Sequence, residues 1–158
     1  MSHFIIGKIE TRSPGARSFL AQRLVQVAAV KGLVVRLLDE TNAQLQYEIL
    51  SAAGLGDGSD VVFFDIVGPS GTADELISPY VLIDQWPQSI KVTIGAISKL
   101  ASELLLNHDV HEVTVVFSEG YDIQYESHEV DTESMTDLLM EKFTAAGEVP
   151  SLAVRLTR

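Results

Sequence analysis

Two of the four histidines, His108 and His111, lie three positions apart on either side of Asp109. With His128 they offer three imidazoles and a carboxylate, a ligand set that zinc accepts. The pair falls, however, where a long helix is predicted to end and a strand to begin. Loosely spaced histidines without cysteine or a His-Glu motif are unspecific, and a cation at a helix C-terminus has a structural role. We therefore expect no metal ion and no other cofactor.

Two glycine-rich segments have the residue types of nucleotide-binding loops but not the spacing. Residues 68–72 follow a predicted strand and open a short helix, where backbone N–H groups can bind an anion. The phosphate loop of nucleotide hydrolases needs a further glycine and a lysine, and Ala73 and Asp74 stand there instead. In residues 54–58 the dinucleotide fingerprint also fails, because Ser59 replaces a glycine and a strand follows. Both segments are predicted to be turns.

Motifs of hydrolytic and nucleophilic enzymes are absent from the sequence. Cysteine is missing, which excludes a thiolate nucleophile, a thiolate metal site and a disulfide scaffold. No serine lies in a G-x-S-x-G motif and there is no H-E-x-x-H motif. Acid–base catalysis needs a carboxyl with a raised pKa in a shielded cleft, whereas the acidic residues fall at positions predicted to be solvated. The sequence predicts no catalytic residue and favours a binding protein over an enzyme.

Length and composition indicate one globular domain over residues 1–158, since 46% of the residues are hydrophobic. No apolar run approaches the ~20 residues that cross a bilayer, and the first residues lack the pattern of a secretory signal. We therefore expect a cytoplasmic protein. A basic groove with interleaved aromatic residues and an apolar helix with a basic flank are both absent. Neither nucleic acid nor a membrane is therefore expected as a direct partner.

Charge is distributed unevenly along the chain. The formal net charge is −11 at pH 7, and residues 103–148 hold 12 acidic residues against one basic residue, Lys142. The acidic residues of this stretch are Glu103, Asp109, Glu112, Glu119, Asp122, Glu126, Glu129, Asp131, Glu133, Asp137, Glu141 and Glu148. Such a field repels nucleic acid and anionic lipid and attracts basic proteins. Two interpretations stay open: a solvated surface that favours solubility, or a docking surface.

The fold class follows from the succession of short strands and helices. Strands are predicted at residues 4–9, 33–38, 43–50, 61–67, 80–83, 112–117, 122–127 and 152–156. Helices are predicted between Ser13 and Gly32, between Thr72 and Pro79, over Ile90–Leu105 and between Asp131 and Gly147. The order is roughly βαβββ(α)(β)αββαβ. It predicts an α+β fold, with a mixed, largely antiparallel sheet and about three main helices packed mostly on one face.

Two pairings in this prediction depend on local patterns. Apolar residues at positions 43, 45, 47 and 49 alternate with polar ones, which favours a strand, although Leu45, Ile49 and Ala52 also fit a helix. The strand would form a hairpin with residues 33–38. A second hairpin is predicted across Glu119 and Gly120, joining residues 112–117 to 122–127.

The run from Ser89 to Gly147 combines a helix, a predicted hairpin and a second helix around the acidic turn Ser118-Glu119-Gly120-Tyr121-Asp122. As a small, acidic, cysteine-free α+β chain without catalytic motifs, the protein resembles in overall profile the bacterial immunity proteins, which neutralise toxins delivered to neighbouring cells. The resemblance implies that the protein occludes or distorts the active site of a toxin in the cytoplasm.

We therefore predict a non-catalytic acidic protein that docks and inhibits a basic protein, such as a toxin or nuclease domain. The predicted contact residues are acidic or aromatic: Glu119, Tyr121, Asp122, Glu126, Glu129, Asp131 and Glu133. Tyr125 is either a further aromatic anchor or an inward residue of its strand.

Two other classes of function stay open. One is a small ligand-, phosphate- or metal-binding domain or enzyme that uses residues 68–72 or the pair His108 and His111. The other is a homo-oligomer in which a glycine-rich loop and an apolar edge strand meet a second copy of the chain.

Overall fold

Six strands form one sheet in the computed structural model of the chain, which describes residues 3–39, 43–55, 60–119 and 124–157. In chain order they are β1 (Phe4–Thr11), β2 (Val34–Leu37), β3 (Val61–Val67), β4 (Val110–Ser118), β5 (Glu126–Val130) and β6 (Leu152–Thr157). Across the sheet the order is β2-β3-β1-β4-β6-β5, and all neighbours are antiparallel except β5 and β6. The predicted α+β class with a mixed, largely antiparallel sheet is confirmed.

The helices cover the two faces of the sheet unequally. In the described residues they are α1 (Arg17–Val30), α2 (Gln44–Ala52), α3 (Asp74–Ile77), α4 (Pro79–Leu82), α5 (Trp86–Leu106) and α6 (Met135–Ala146). The long helices α1, α5 and α6 pack on one face over the main apolar core, whereas α2 covers a smaller cluster on the other face. Packing of the main helices mostly on one face is therefore confirmed. None of these helices has the length and apolar character that a bilayer-spanning segment needs.

One stripe of each long helix contributes to the main core. The stripe predicted on α5 is buried and consists of Ile90, Ile94, Ile97, Ala101, Leu104 and Leu105. On α6, Phe143 meets Phe117 of β4 edge-on, with 5.1 Å between the ring centres. Helix α1 ends at Val30, and the two residues predicted to close it follow, with Lys31 as the C-cap and Gly32 at a φ of 74°. Helical spacing of apolar residues was therefore a sufficient signal for these elements.

Gly7 lies in the middle of the sheet because an aromatic ring occupies the space of its missing side chain. It pairs directly with Phe64 of β3, which is fully buried in the main core. A Cβ atom added at Gly7 would overlap the Phe64 ring. The ring of Phe64 thus packs directly over the backbone of Gly7, and this contact requires glycine at position 7.

A buried charge lies on the face of the sheet that α2 covers. Asp65 of β3 is 2% exposed and accepts two hydrogen bonds from Arg36 of β2, at 3.0 and 2.8 Å. Gln46 of α2 adds a hydrogen bond at 3.4 Å. The Arg36 side chain is half exposed, and its hydrogen bond to Asp65 raises the pKa of the guanidinium. This pair ties the edge strand β2 to β3.

The strand predicted at residues 43–50 is wrong, because residues 44–50 belong to the helix α2 and Ala43 is its N-cap. Ile49 and Leu50 are both buried, although a half-buried strand would place successive side chains on opposite faces. Tyr47 packs edge-on against Phe63 of β3, with 5.4 Å between ring centres. The predicted hairpin with residues 33–38 is wrong as well, because β2 pairs with β3. When the apolar spacing of a segment fits both a helix and a strand, tertiary packing decides which of the two forms.

The short strand predicted at residues 80–83 is also wrong, because Pro79–Leu82 form α4. The hydroxyl oxygen of Ser78 accepts a hydrogen bond from the Tyr80 amide at 3.2 Å, which caps the helix. Pro79 occupies the first helical turn, where its missing N–H costs nothing.

The hairpin predicted across Glu119 and Gly120 does not match the pairing of the strands. β4 lies between β1 and β6, and β5 pairs with β6 in parallel. Parallel neighbours need a crossover connection, which α6 supplies between β5 and β6. Two alternating runs around a glycine turn are typical of a hairpin, but the longer apolar strands β1 and β6 are the partners of β4.

Candidate partner-binding surface

Strand β5 carries one glutamate on each face of the sheet. Glu126 and Glu129 are three residues apart, so their side chains point to opposite faces. On the face that holds α6, Glu126 accepts a hydrogen bond from Lys142 at 2.8 Å. On the other face, Glu129 accepts one from Arg155 of β6 at 2.7 Å. Both carboxylates nevertheless remain more than half exposed.

These ion pairs change the pKa values of the groups involved. The hydrogen bond from Lys142 lowers the pKa of Glu126, and His128 acts in the same direction. The hydrogen bond from Arg155 lowers the pKa of Glu129. Both glutamates are therefore ionised at neutral pH, and both belong to ion pairs within the fold.

A row of carboxylates without such partners lies on α6 and the turn before it. Glu133, Asp137 and Glu141 are exposed and follow one another at intervals of four residues. Among the described residues, none of the three has an ion-pair partner within 4.0 Å. This spacing places Asp137 and Glu141 along one side of the helix, and Glu133 lies in the turn before it. We call Glu126, Glu129, Glu133, Asp137 and Glu141 the acidic surface.

Asp137 and Glu141 belong to the acidic surface but are not among the predicted contact residues. Their signal was present in the sequence, because the predicted α6 stripe contains Met135, Leu139 and Phe143 and leaves positions 137 and 141 outside it. The prediction concentrated on the segment before the helix, where acidic residues are densest.

The remaining predicted contact residues lie in different surroundings. Asp131 accepts a hydrogen bond from the Ser134 amide at 2.8 Å and so forms the turn that begins α6, and the hydroxyl and the amide of Ser134 lower the pKa of this carboxyl. Glu119 is half-buried directly after β4. Tyr121 and Asp122 lie outside the described residues. The structure thus brings Glu126, Glu129, Asp131 and Glu133 to β5 and the turn that follows it.

Tyr125 is an inward residue rather than an exposed anchor. It is half-buried against the cluster on the α2 face. Its hydroxyl is hydrogen-bonded to the hydroxyl of Ser118, with 2.5 Å between the oxygens. Burial raises the pKa of the phenol.

Two carboxyl groups meet on the α2 face of the sheet. Glu10 of β1 and Glu112 of β4 are direct cross-strand partners, and Glu112 is buried. Burial and the hydrogen bond with Glu10 raise the pKa of Glu112, while Arg155, 3.3 Å away, opposes the rise. The prediction that the acidic residues of this stretch are solvated is therefore wrong for Glu112. A groove of about 350 Å³ nearby is lined by Thr114 and Arg155 rather than by the two carboxyls.

Replacing Glu112 with glutamine is expected to stabilise the protein, relative to the native chain, increasingly as the pH rises from about 4.3 to neutral. A carboxyl whose pKa is raised by folding binds its proton more tightly in the folded state, so the native protein loses stability as the pH rises through this window. Glutamine does not ionise. Urea unfolding at about pH 4.3 and about pH 7 measures the difference.

Glu126→Gln is the matched control, because folding lowers the pKa of Glu126. Its carboxylate contributes stability above the unfolded pKa, and this contribution is lost as the pH falls through the lower, folded value. The control variant is therefore less stable than the native chain at neutral pH, and the difference shrinks in acid. If the stabilities of the two variants, each relative to the native chain, changed with pH in the same direction, the raised pKa of Glu112 would be contradicted.

The loop at residues 68–72 binds a carboxylate of the chain itself. The Ser70 amide donates to the two oxygens of Glu75 at 2.9 and 3.1 Å, and the Thr72 amide donates at 3.4 Å. A Cβ atom at Gly68 would lie 2.8 Å from the Cβ of Glu75, so glycine permits this close approach. The amide hydrogen bonds lower the pKa of Glu75. The donors that a phosphate would use at these two amides are thus taken by Glu75.

The histidines of the zinc hypothesis lie in separate surroundings. His108 is exposed, 3.8 Å from Asp109, and His128 of β5 lies 3.1 Å from Glu126. Within the described ranges, no three histidine, aspartate or glutamate residues are placed to hold a metal ion together.

No family model, curated protein or solved structure matches this chain. Similarity therefore assigns a role to none of its residues. The function of the acidic surface has to follow from its contacts, exposure and charge.

Proposed function

We propose that this chain is a non-catalytic acidic binding protein that docks and inhibits a basic protein partner through the acidic surface. The observation that carries the proposal is the row formed by Glu133, Asp137 and Glu141, which has no ion-pair partner within the described residues. A toxin or nuclease domain with a positively charged active site has the complementary charge. An immunity protein of the bacterial cytoplasm would have this activity.

Part of the row has a structural role, because Asp137 lies in the first turn of α6 and Glu133 just before the helix, where negative charge is favourable. Glu141 lies in the middle of the helix and lacks this role, and like charges four residues apart destabilise a helix by about 0.2–0.5 kcal/mol per pair. Glutamates on β5 have an alternative explanation, because charges on an edge strand prevent aggregation. Helix α6 has no strand edge to protect, so its row is the stronger support for a partner.

The charge distribution also supports a choice of partner class. The acidic stretch accounts for the whole net charge of −11, and such a field speeds the encounter with a basic protein. The same field repels nucleic acid and anionic membranes, so neither is proposed as a direct partner.

Reversing two charges of the row, Glu133→Lys with Glu141→Lys, is expected to slow association with the partner about tenfold at low salt. The variant should also show a weaker dependence of the association rate on salt, because fewer charges steer the encounter. The partner is first captured from a lysate of the source organism at low salt, released at high salt and identified by mass spectrometry. Stopped-flow mixing of the purified proteins then gives the rates.

The control is Glu48→Lys with Asp84→Lys, which makes the same change in net charge at exposed positions on α2 and before α5. If the control slows association as much as the row variant does, net charge rather than the acidic surface is responsible. Glu126 and Asp131 are unsuitable for this test, because their reversal also breaks the contacts with Lys142 and Ser134.

A further inference from the structure

Strand β5 is an edge strand whose outer side pairs with no other strand of the described chain. Glu126, Ser127 and Glu129 are exposed. An edge of this kind presents backbone N–H and C=O groups that an added strand can bind.

The register identifies the backbone groups that face outward. The Glu126 amide donates to the carbonyl of Ser151 at 3.1 Å, and Glu126 and His128 pair with successive alternate residues of β6. Because alternate residues of a strand direct their backbone groups to opposite edges, the amides and carbonyls of Ser127 and Glu129 face away from β6. Within the described part of the chain, two residues of β5 thus have backbone groups that no other strand pairs with, and these groups can bind a further strand.

The side chains beside this edge indicate the charge of the occupant. Glu126 lies on one face of the sheet and Glu129 on the other. The opposite edge of the sheet, β2, instead carries Arg36 and the exposed apolar residues Val34 and Leu37. A strand laid along β5 directs its side chains alternately to the two faces, so basic residues on both faces would meet carboxylates.

We infer that the basic partner docks by adding an extended segment rich in lysine or arginine as a strand alongside β5, hydrogen-bonded to the backbone of Ser127 and Glu129. This inference rests on the proposed function and adds to it the mode of recognition. Main-chain hydrogen bonds give the affinity and the glutamates select for positive charge.

The test compares two synthetic peptides of equal length and charge, one repeating Lys-Lys-Thr-Thr, which directs lysines to both faces of an added strand, and the other repeating Lys-Lys-Pro-Pro, which lacks amides on both edges. Only the first has a full set of amides for a strand ladder. In the full-length protein, Ser127→Pro removes the outward amide while the ring remains compatible with an edge strand. The variant is expected to weaken binding of the lysine–threonine peptide about tenfold, measured by fluorescence anisotropy at low salt.

Leu37→Pro on β2 is the matched control. The Leu38 amide donates to the carbonyl of Phe63, so the Leu37 amide faces outward at the other edge. This variant should bind the peptide as the native protein does. Hydrogen exchange gives a second measurement, since the amides of Ser127 and Glu129 should become protected only when the peptide is bound.

The outcomes separate strand addition from the proposed function. Equal binding of both peptides, with no effect of Ser127→Pro, would overturn strand addition and leave acidic docking in place. Failure of both peptides and of any basic partner to bind would contradict the proposed function as well. A dimer of the native protein in light scattering that Ser127→Pro dissociates would make a second copy the occupant and overturn the inference.

Discussion

Gly7→Ala is expected to lower the free energy of unfolding by about 3 kcal/mol, at the upper end of the usual cost of overpacking a core. The added methyl group would overlap the ring of Phe64, which is enclosed between the sheet and the helices of the main core. Because the ring is only 1% exposed, the added methyl group is expected to push the strands β1 and β3 apart. Urea unfolding followed by circular dichroism measures the change.

Gly95→Ala on α5 is the matched control for this substitution. Apart from its chain neighbours and the backbone of its own helix, no atom lies within 4 Å of the Cβ position at Gly95, and alanine is preferred over glycine inside a helix by about 1 kcal/mol. The control should therefore be more stable than the native protein. In the Gly7→Ala background, Phe64→Leu should recover part of the loss, and native stability of Gly7→Ala alone would show that the ring is not confined.

Arg36→Leu is expected to cost about 3 kcal/mol, because it leaves the carboxylate of Asp65 buried without its cation. Gln46 offers only one hydrogen bond, at 3.4 Å, which replaces neither the charge nor the two-point geometry. Chemical unfolding at neutral pH measures the loss. The effect should be much larger than that of removing an exposed ion pair, which is usually worth less than about 1 kcal/mol.

The double variant Arg36→Leu with Asp65→Leu tests the cause of this loss. Removing both partners leaves no buried charge, so the double variant should be more stable than Arg36→Leu alone. Lys31→Met is a suitable comparison, because it removes the pair with Glu103, a carboxylate that is 47% exposed. If the two single variants cost the same, the burial of Asp65 has no energetic consequence.

Local patterns predicted the helices of this fold better than the neighbours of its strands. The stripe of α5 and the closure of α1 by its C-cap Lys31 depend on residues within a few turns of one another. The partners of β4 are β1 and β6, which are distant in the sequence. No short-range signal distinguishes such pairing from a hairpin. The segment of α2 was predicted as a strand because its apolar spacing also fits a strand, and only its packing against Phe63 favours the helix.

The acidic stretch could be located from composition, but its division into paired and unpaired charges could not. Lys142 is 16 residues from Glu126, and Arg155 is 26 residues from Glu129. The parallel pairing of β5 with β6 brings Arg155 to its partner. The same pairing places β5 at the edge of the sheet, which no pattern within residues 103–148 reveals.

The order of the strands has a consequence for synthesis and folding. β1 lies between β3 and β4, and Ile6 pairs with both Asp65 and Val116, about 60 and 110 positions later in the chain. Long-range pairings of this kind form slowly, in about milliseconds to seconds. A ribosome adds about 5–20 residues per second, so β1 leaves it several seconds before its second neighbour exists. During that interval Ile5, Ile6 and Ile9 are without their native partners, and β1 is then a target for chaperones and for aggregation.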